Sequence, residues 1–224
     1  MIKQGDIQLT NLVFMGPPGV GKGTIAAIIA QKYGMVHLST GNIFRAEIAS
    51  KSKLGIEVSK LVESGQYVPD EITNQIVKKA LENYALQDKT VILDGYPRTI
   101  SQSHFLDTIK EFDYKVIELE ATDDLILKRL SGRRFCPNCK ASFHVEFMPS
   151  SKGNICDKCD HELVTRKDDS PESVKKRLEV YANQTEPLLK YYKNNLHAFD
   201  ASGNPDESAK LIVKTISDII KKQK

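Results

Sequence analysis

Residues 16–24 read Gly-Pro-Pro-Gly-Val-Gly-Lys-Gly-Thr and follow the apolar run Leu12-Val13-Phe14-Met15. Glycines at this density let successive N–H groups turn inward. With the positive end of a following helix, those donors cradle phosphate oxygens. Lys22 stands where a mobile ammonium neutralises the outer phosphates of a nucleoside triphosphate. Gly19, Val20, Gly21, Gly23 and Thr24 complete the loop. The general pattern places Ser or Thr directly after the lysine; here Gly23 intervenes and the hydroxyl arrives at Thr24. The bland alternative is a plain turn. A strand before the loop and the helical run Ile25–Ala30 after it favour the phosphate cradle.

Transfer between two phosphates needs fixed cations more than a general base, because the accepting oxygen is already an anion. Arginine supplies a planar, permanently charged fork for that purpose. Arg45, Arg98, Arg129, Arg133, Arg166 and Arg177 all flank strand ends or the cysteine-rich stretch. Each alone reads as a solvated surface residue; together they read as a phosphate bed. Asp94 closes the apolar run Val91-Ile92-Leu93, where a carboxylate can hold Mg²⁺ through water. The competing reading of Asp94-Gly95 is a simple strand-end turn.

Cys136-Pro-Asn-Cys139 and Cys156-Asp-Lys-Cys159 are separated by sixteen residues. Two C-x2-C knuckles at this distance complete a tetrahedral thiolate set suited to Zn²⁺. Four protein ligands leave no open position, so the ion is expected to be structural. An iron site of rubredoxin type is the minor alternative. Disulfides fit poorly with a chain that lacks a secretory leader, which is the expectation from Met1–Asp6. His144 and His161 read as packing or surface residues rather than ligands, and Phe143 and Phe147 as packing under the ribbon.

These groups need a scaffold. Candidate strands are Leu12–Met15, Val36–Ser39, Val91–Leu93, Lys115–Leu119 and His197–Asp200, alternating with helical spacing such as Ile72, Ile76, Ala80 and Val174, Leu178, Tyr181, Thr185. Such alternation predicts an α/β fold with a parallel sheet between helices, with sites at the carboxyl ends of the strands. Residues 40–68 hold a helical pattern without a buried strand, and 132–169 hold every cysteine; both read as insertions closing over the core. The chain has 224 residues with 40% hydrophobic and 27% charged content, enough for one large soluble domain. A net charge of +3 argues against a nucleic-acid partner. No apolar stretch approaches the roughly 18 residues of a membrane span. The C-terminal Lys221-Lys222-Gln223-Lys224 reads as a solvated tail. A cytoplasmic protein is the default expectation from the N-terminus and the lack of a span, and a monomer because no long apolar helix face is left over.

Several of these segments together resemble adenylate kinase in its long form with a zinc-bearing lid. Gly16–Thr24 is similar to that family's phosphate loop, which carries the same extra glycine after the lysine. Ser39-Thr40-Gly41 with Arg45, and Val68-Pro69-Asp70-Glu71, resemble the two ends of its monophosphate segment. Asp94-Gly95-Tyr96-Pro97-Arg98-Thr99 with Gln102 resembles its DGFPRTxxQ signature, with Tyr96 for Phe. Gly132-Arg133-Arg134 resembles the lid's opening; Thr165-Arg166-Lys167-Asp168-Asp169, followed by Lys176-Arg177-Leu178, resembles its close. Gln66 departs, standing where some relatives carry a basic residue, and the segment before Leu9 has no counterpart.

The resemblance implies a P-loop nucleoside monophosphate kinase fold: a five-stranded parallel sheet flanked by helices, with an NMP-binding helical insertion and a zinc-ribbon lid. The core would be 1–38, 70–131 and 170–224, the monophosphate segment 39–69 and the lid 132–169. It implies the reaction of ATP with AMP to give two ADP, with Mg²⁺ carried by ATP. Gly19–Thr24, Arg129 and Arg133 would hold ATP. Thr40, Arg45, Val68, Gly95, Arg98, Gln102, Arg166 and Arg177 would serve AMP, with Thr40 and Gln102 near its adenine. Lys22, Arg98, Arg133, Arg166 and Arg177 would act on the transferring phosphate. Asp94 would organise Mg²⁺, and Asp168 and Asp169 would fix the lid arginines. GTP as donor, another monophosphate as acceptor, and a nucleic-acid-binding ribbon using ATP as a switch remain as alternatives.

Overall fold

The computed structural model describes residues 8–222. The leader reading at Met1–Asp6 and the last two residues of the C-terminal tail fall outside that range.

Five parallel strands form the central sheet in the order β2-β3-β1-β4-β7. They are β1 (Asn11–Met15), β2 (Val36–Ser39), β3 (Val91–Asp94), β4 (Tyr114–Glu120) and β7 (Leu196–Asp200). Each contains or overlaps an expected strand. Their side chains alternate between two cores. Leu12, Phe14, Ile92, Ile117 and Leu119 face one layer with Ile25 and Ile29 of α1 (Lys22–Tyr33) and Ile212 and Ile216 of α9 (Pro205–Lys222). Val13, Met15, Leu93 and Val116 face the other. There they meet Val77 of α4 (Asp70–Ala85), Leu106 of α5 (Ile100–Asp107) and Leu188 of α8 (Leu188–Tyr191). Burial on both sides explains why these strands read as continuous apolar runs.

The connection from β1 runs to β2 on one side of it, and that from β3 crosses to β4 on its other side, so the strand order reverses at β1 and opens a crevice at the carboxyl end of the sheet. Two structures stand over that crevice. The first is a helix pair, α2 (Thr40–Ala49) and α3 (Lys53–Glu63), with its own small core of Phe44, Val58 and Val68. The second follows α6 (Asp123–Ser131): the antiparallel pair β5 (Arg133–Phe135) and β6 (Ser142–His144), packed over Cys136, Cys156 and Leu163. A 3₁₀ turn at Lys167–Asp169 then leads into α7 (Pro171–Val180).

One sequence expectation gains a detail and one needs correction. The spacing Val174, Leu178, Tyr181, Thr185 predicts a helix; α7 runs to Val180 and Tyr181–Thr185 carry it on as a π turn. The widened turn brings the Thr185 hydroxyl to the Arg98 carbonyl at 2.9 Å. Phe147 does not pack under the ribbon. It is 47% exposed and lies against the His144 ring, while Phe143 does join the apolar cluster around the cysteines.

Candidate active site

The loop between β1 and α1 carries positive φ at Gly16, Gly19 and Gly21, which non-glycine residues rarely adopt. This curls the chain so that Gly21 enters α1 and the helix N-terminus faces the crevice. Lys22 folds back on this loop, donating to the carbonyls of Gly16 at 2.6 Å and Pro17 at 2.9 Å. Burial pulls its ammonium down to about 7, against the opposing charge of Asp94; Arg98, Arg177 and Arg133 add to the fall. The extra glycine after the lysine has a spatial reason: a Cβ on Gly23 would come within 3.3 Å of Asp94 Oδ2.

Asp94 ends β3 beside β2, where Ser39 is its register partner. Its Oδ2 lies 3.1 Å from His37 Nε2. Burial alone would raise this carboxyl. The His37 hydrogen bond and the charges of His37, Lys22 and Arg98 outweigh burial and hold it well below the usual carboxylate range.

A cleft of about 1090 Å³ runs from this loop under the ribbon. Gly19–Thr24, Asp94, Arg129, Arg133 and Arg166 line it, as do the ribbon residues Ser142, Phe143 and His144. A side pocket of about 70 Å³ beneath α2 is lined by Thr40, Val68, Gln102 and the exposed Gln66. Arg45, Gly95, Arg98 and Arg177 line both spaces and so mark their junction. Arg166 lines the cleft but not the side pocket.

Hydrogen bonds order the junction. The Gly95 carbonyl accepts from Thr40 Oγ1 at 2.8 Å and from Arg98 Nε at 2.7 Å. The Arg98 guanidinium lies over the Tyr67 ring at 4.8 Å. Gln102 has both ends of its amide engaged: Oε1 accepts from Arg98 N and Nε2 donates to Asp70 Oδ1, each at 2.7 Å. Asp70 also accepts from Thr99 Oγ1. Gln102 thus shapes the Arg98 turn in this arrangement.

The arginines converge on two carboxylates. Asp169, with 1% side-chain exposure, accepts two bonds from Arg133 and one from Arg177 at 3.1 Å. Asp168 pairs with Arg177 at 3.2 Å and with Arg45 of α2 at 3.8 Å. Burial would raise Asp168, but Arg177, Arg45 and Arg133 together lower it. Burial likewise pulls Arg45 down to about 10, with Asp168 opposing and Arg133 and Arg177 adding. Arg166 falls well below its ordinary value through burial and the charges of Arg133 and Arg45. Six cations, Lys22, Arg45, Arg98, Arg133, Arg166 and Arg177, stand against Asp94, Asp168 and Asp169. The excess positive charge in a low-dielectric crevice makes a seat for a polyanion. Arg129 is engaged differently, donating to the carbonyls of Val20 at 2.8 Å and Ala201 at 2.7 Å. It ties the phosphate loop to the segment after β7.

The four cysteine sulfurs lie within 4.8 Å of one another. Cys136–Cys159 and Cys139–Cys156 are 3.4 and 3.5 Å apart, far beyond a disulfide bond. A tetrahedral site with Zn–S bonds of about 2.3 Å requires sulfurs roughly 3.8 Å apart, so the set fits such an ion. His144 takes no part. Its Nδ1 accepts from the N–H groups of Glu146 and Phe147 at 3.0 Å, and its Nε2 faces the Lys128 carbonyl at 3.1 Å.

A family model described as adenylate kinase matches residues 14–197. A protein of Mycoplasmopsis pulmonis called adenylate kinase is 50% identical over 212 residues, covering 93% of this chain and 99% of that one. Adenylate kinases of Mycoplasma mobile and Clostridium botulinum (strain Langeland) are 45% and 43% identical, covering 93% and 96% of this chain and 98% and 100% of theirs. The chain belongs to the adenylate kinase family. Its phosphate loop, parallel sheet and clustered cysteines agree with the P-loop fold and zinc-type lid expected of that family. Three residues at this adenylate kinase site escaped sequence reasoning. His37 meets Asp94, Tyr67 meets Arg98, and Phe135 meets two arginines. His37 had a weak signal, a histidine beside a strand-end Ser-Thr. Tyr67 and Phe135 had none beyond ordinary apolar character.

Proposed function

We propose that this enzyme catalyses reversible phosphoryl transfer from ATP, bound with Mg²⁺, to AMP, giving two ADP. The observation that carries the reading is the junction itself: Arg45, Arg98 and Arg177 line both the phosphate-loop cleft and the side pocket. Two nucleotides entering from the two sides would meet phosphate to phosphate among those guanidiniums. The names of the relatives support the choice of nucleotides.

Gly19–Thr24, Arg129 and Arg133 hold ATP in this reading, with Lys22 leaving its loop carbonyls for the outer phosphates. Thr40, Arg45, Val68, Gly95, Arg98, Gln102, Arg166 and Arg177 receive AMP. Lys22, Arg98, Arg133, Arg166 and Arg177 stabilise the charge that spreads over the transferring group. The Asp94 carboxylate, kept ionised, would hold Mg²⁺ through water. When bound, that ion would supply positive charge that neutralises the outer phosphates. The monophosphate segment 39–69 and the lid 132–169 move over the core (1–38, 70–131 and 170–224) and exclude water that would otherwise accept the phosphoryl group.

Cys136, Cys139, Cys156 and Cys159 hold a structural Zn²⁺ as thiolates, which gives the lid the rigidity its small apolar cluster lacks. Metal analysis of the purified protein separates zinc from iron. Among the described residues no helix is long and apolar enough to cross a membrane. We read the protein as a cytoplasmic monomer, where free nucleotides and reduced thiols coexist.

The test is ADP formation from MgATP with and without AMP in a coupled assay. ADP that requires AMP supports the proposal; ADP formed equally without AMP overturns it. A panel of GTP and other monophosphates in the same assay ranks the donor and acceptor.

A further inference from the structure

Phe135 closes β5 and is 5% exposed. Its backbone is fixed from both sides. It pairs with Ser142 of β6, and it exchanges hydrogen bonds with Val164 at 2.8 and 2.9 Å. The ring is therefore set by a ladder that does not depend on the ring. Two guanidiniums lie over it, that of Arg166 at 4.4 Å from the centroid and that of Arg45 at 5.6 Å. The two arginines reach it from different insertions, Arg166 from the strap leaving the ribbon and Arg45 from α2. Each has a buried Nε without a hydrogen-bond partner among the described residues. Phe135 itself lines neither the cleft nor the side pocket.

Two cations gathered in one buried place repel each other, and desolvation adds to that cost. Asp168 answers Arg45 only from 3.8 Å. An aromatic ring supplies what an aliphatic one does not, a negative face that attracts cations most strongly where water is excluded. We propose that Phe135 is a positioning residue. Its ring seats Arg45 and Arg166 together, so that the monophosphate segment and the lid present their guanidiniums to the phosphates as one unit. The inference rests on the functional reading above, since it assigns a use to two arginines of that site. It makes Phe135 a residue that acts through the arginines without touching substrate.

The experiment compares the wild type, Phe135→Leu, Phe135→Tyr and a series with mono-, di- and trifluorinated phenylalanine at position 135. Leucine fills the space without the negative face. Fluorination keeps the ring's shape while draining that face. Expected for Phe135→Leu is a rise of roughly three- to tenfold in KM for AMP with a fall in kcat, while KM for ATP stays within about twofold. Phe135→Tyr stays within about twofold of the wild type throughout. KM for AMP climbs stepwise with fluorination at constant melting temperature and zinc content. A flat fluorination series overturns the proposal, including the case in which Phe135→Leu loses zinc or fails to fold. So does a Phe135→Tyr variant as impaired as Phe135→Leu, which would mark simple packing. A wild-type chain that forms no ADP from ATP and AMP overturns the functional reading and this inference with it. An active wild type with a flat series overturns this inference alone.

Discussion

The Lys22 ammonium donates to the carbonyl of Gly16 at 2.6 Å, so the cation proposed to serve the phosphates is folded back on its own loop. In the proposed mechanism the same side chain that closes the glycine turn swings to the triphosphate. Replacing it with Met removes the charge and keeps the apolar stem. Lys22→Met is expected to lose at least about a hundredfold in kcat, in line with removal of one charge-stabilising donor from a transition state. Its thermal unfolding should stay close to the wild type. Turnover near the wild-type rate would remove Lys22 from the mechanism.

Burial brings Lys22 down to about 7, and a bound triphosphate draws its proton back. The free enzyme is then the state with fewer protons above that pH. Binding of ATP should take up a proton between about pH 7.5 and 9 and weaken as pH rises through that window. Calorimetry in buffers of different ionisation enthalpy measures the uptake directly. Lys22→Arg, which stays charged, should abolish it; uptake unchanged in that variant would assign the proton to another group.

Asp169 holds Arg133 and Arg177 from a site with 1% side-chain exposure. Asp169→Asn preserves shape but leaves buried Arg133 without its counter-charge and Arg177 with Asp168 alone. The expected cost is about 3 kcal/mol of stability, with kcat also reduced because both arginines lose their orientation. Urea titration and steady-state kinetics read the two effects. A variant as stable and as fast as the wild type would show that Asp168 alone suffices.

The ribbon's apolar cluster is small, and its four thiols sit at metal spacing. Removing zinc with a chelator should lower the melting temperature by several degrees or more. Proteolysis should then begin within 132–169 before the sheet is cut. A melting curve unmoved by chelation, with metal loss verified, would remove the structural role.

His144 joins the end of α6 through Nε2 at the Lys128 carbonyl and orders its own ribbon turn through Nδ1, which accepts from Glu146 and Phe147; a Cβ on Gly132 would press into its ring at 2.4 Å. His144→Ala takes the acceptor from two part-buried N–H groups, while the Lys128 carbonyl keeps Ser131 Oγ and Gly132 N. A loss of about 2 kcal/mol is expected, roughly 4–8 °C for a chain of this size. Zinc content should be unchanged. A parallel loss of zinc would reassign His144 to the metal site.

Features written in consecutive residues or in a fixed spacing were legible beforehand. The glycine loop, the five strands and the paired cysteine knuckles belong to this group. Each rests on local forces: backbone freedom at glycine, burial of a strand on both faces, the reach of two thiolates from one turn. The arginines were legible as a set because their number near strand ends exceeds what a solvated surface explains. Their individual geometry was not. Arg129 holds Val20 and Ala201 carbonyls, and Gln102 spends both amide ends on Arg98 and Asp70.

The sequence by itself determined which groups stand ready for chemistry: a glycine-rich loop, a set of arginines and two cysteine pairs. Only the tertiary structure decided who stands beside whom. His37 reaches Asp94 across 57 residues because β2 lies next to β3 in the sheet. Phe135 collects arginines from two insertions because those insertions meet above the crevice. Such meetings depend on strand order and on side-chain rotamers chosen by neighbours distant in the chain. No periodicity or spacing along a single strand of sequence encodes them.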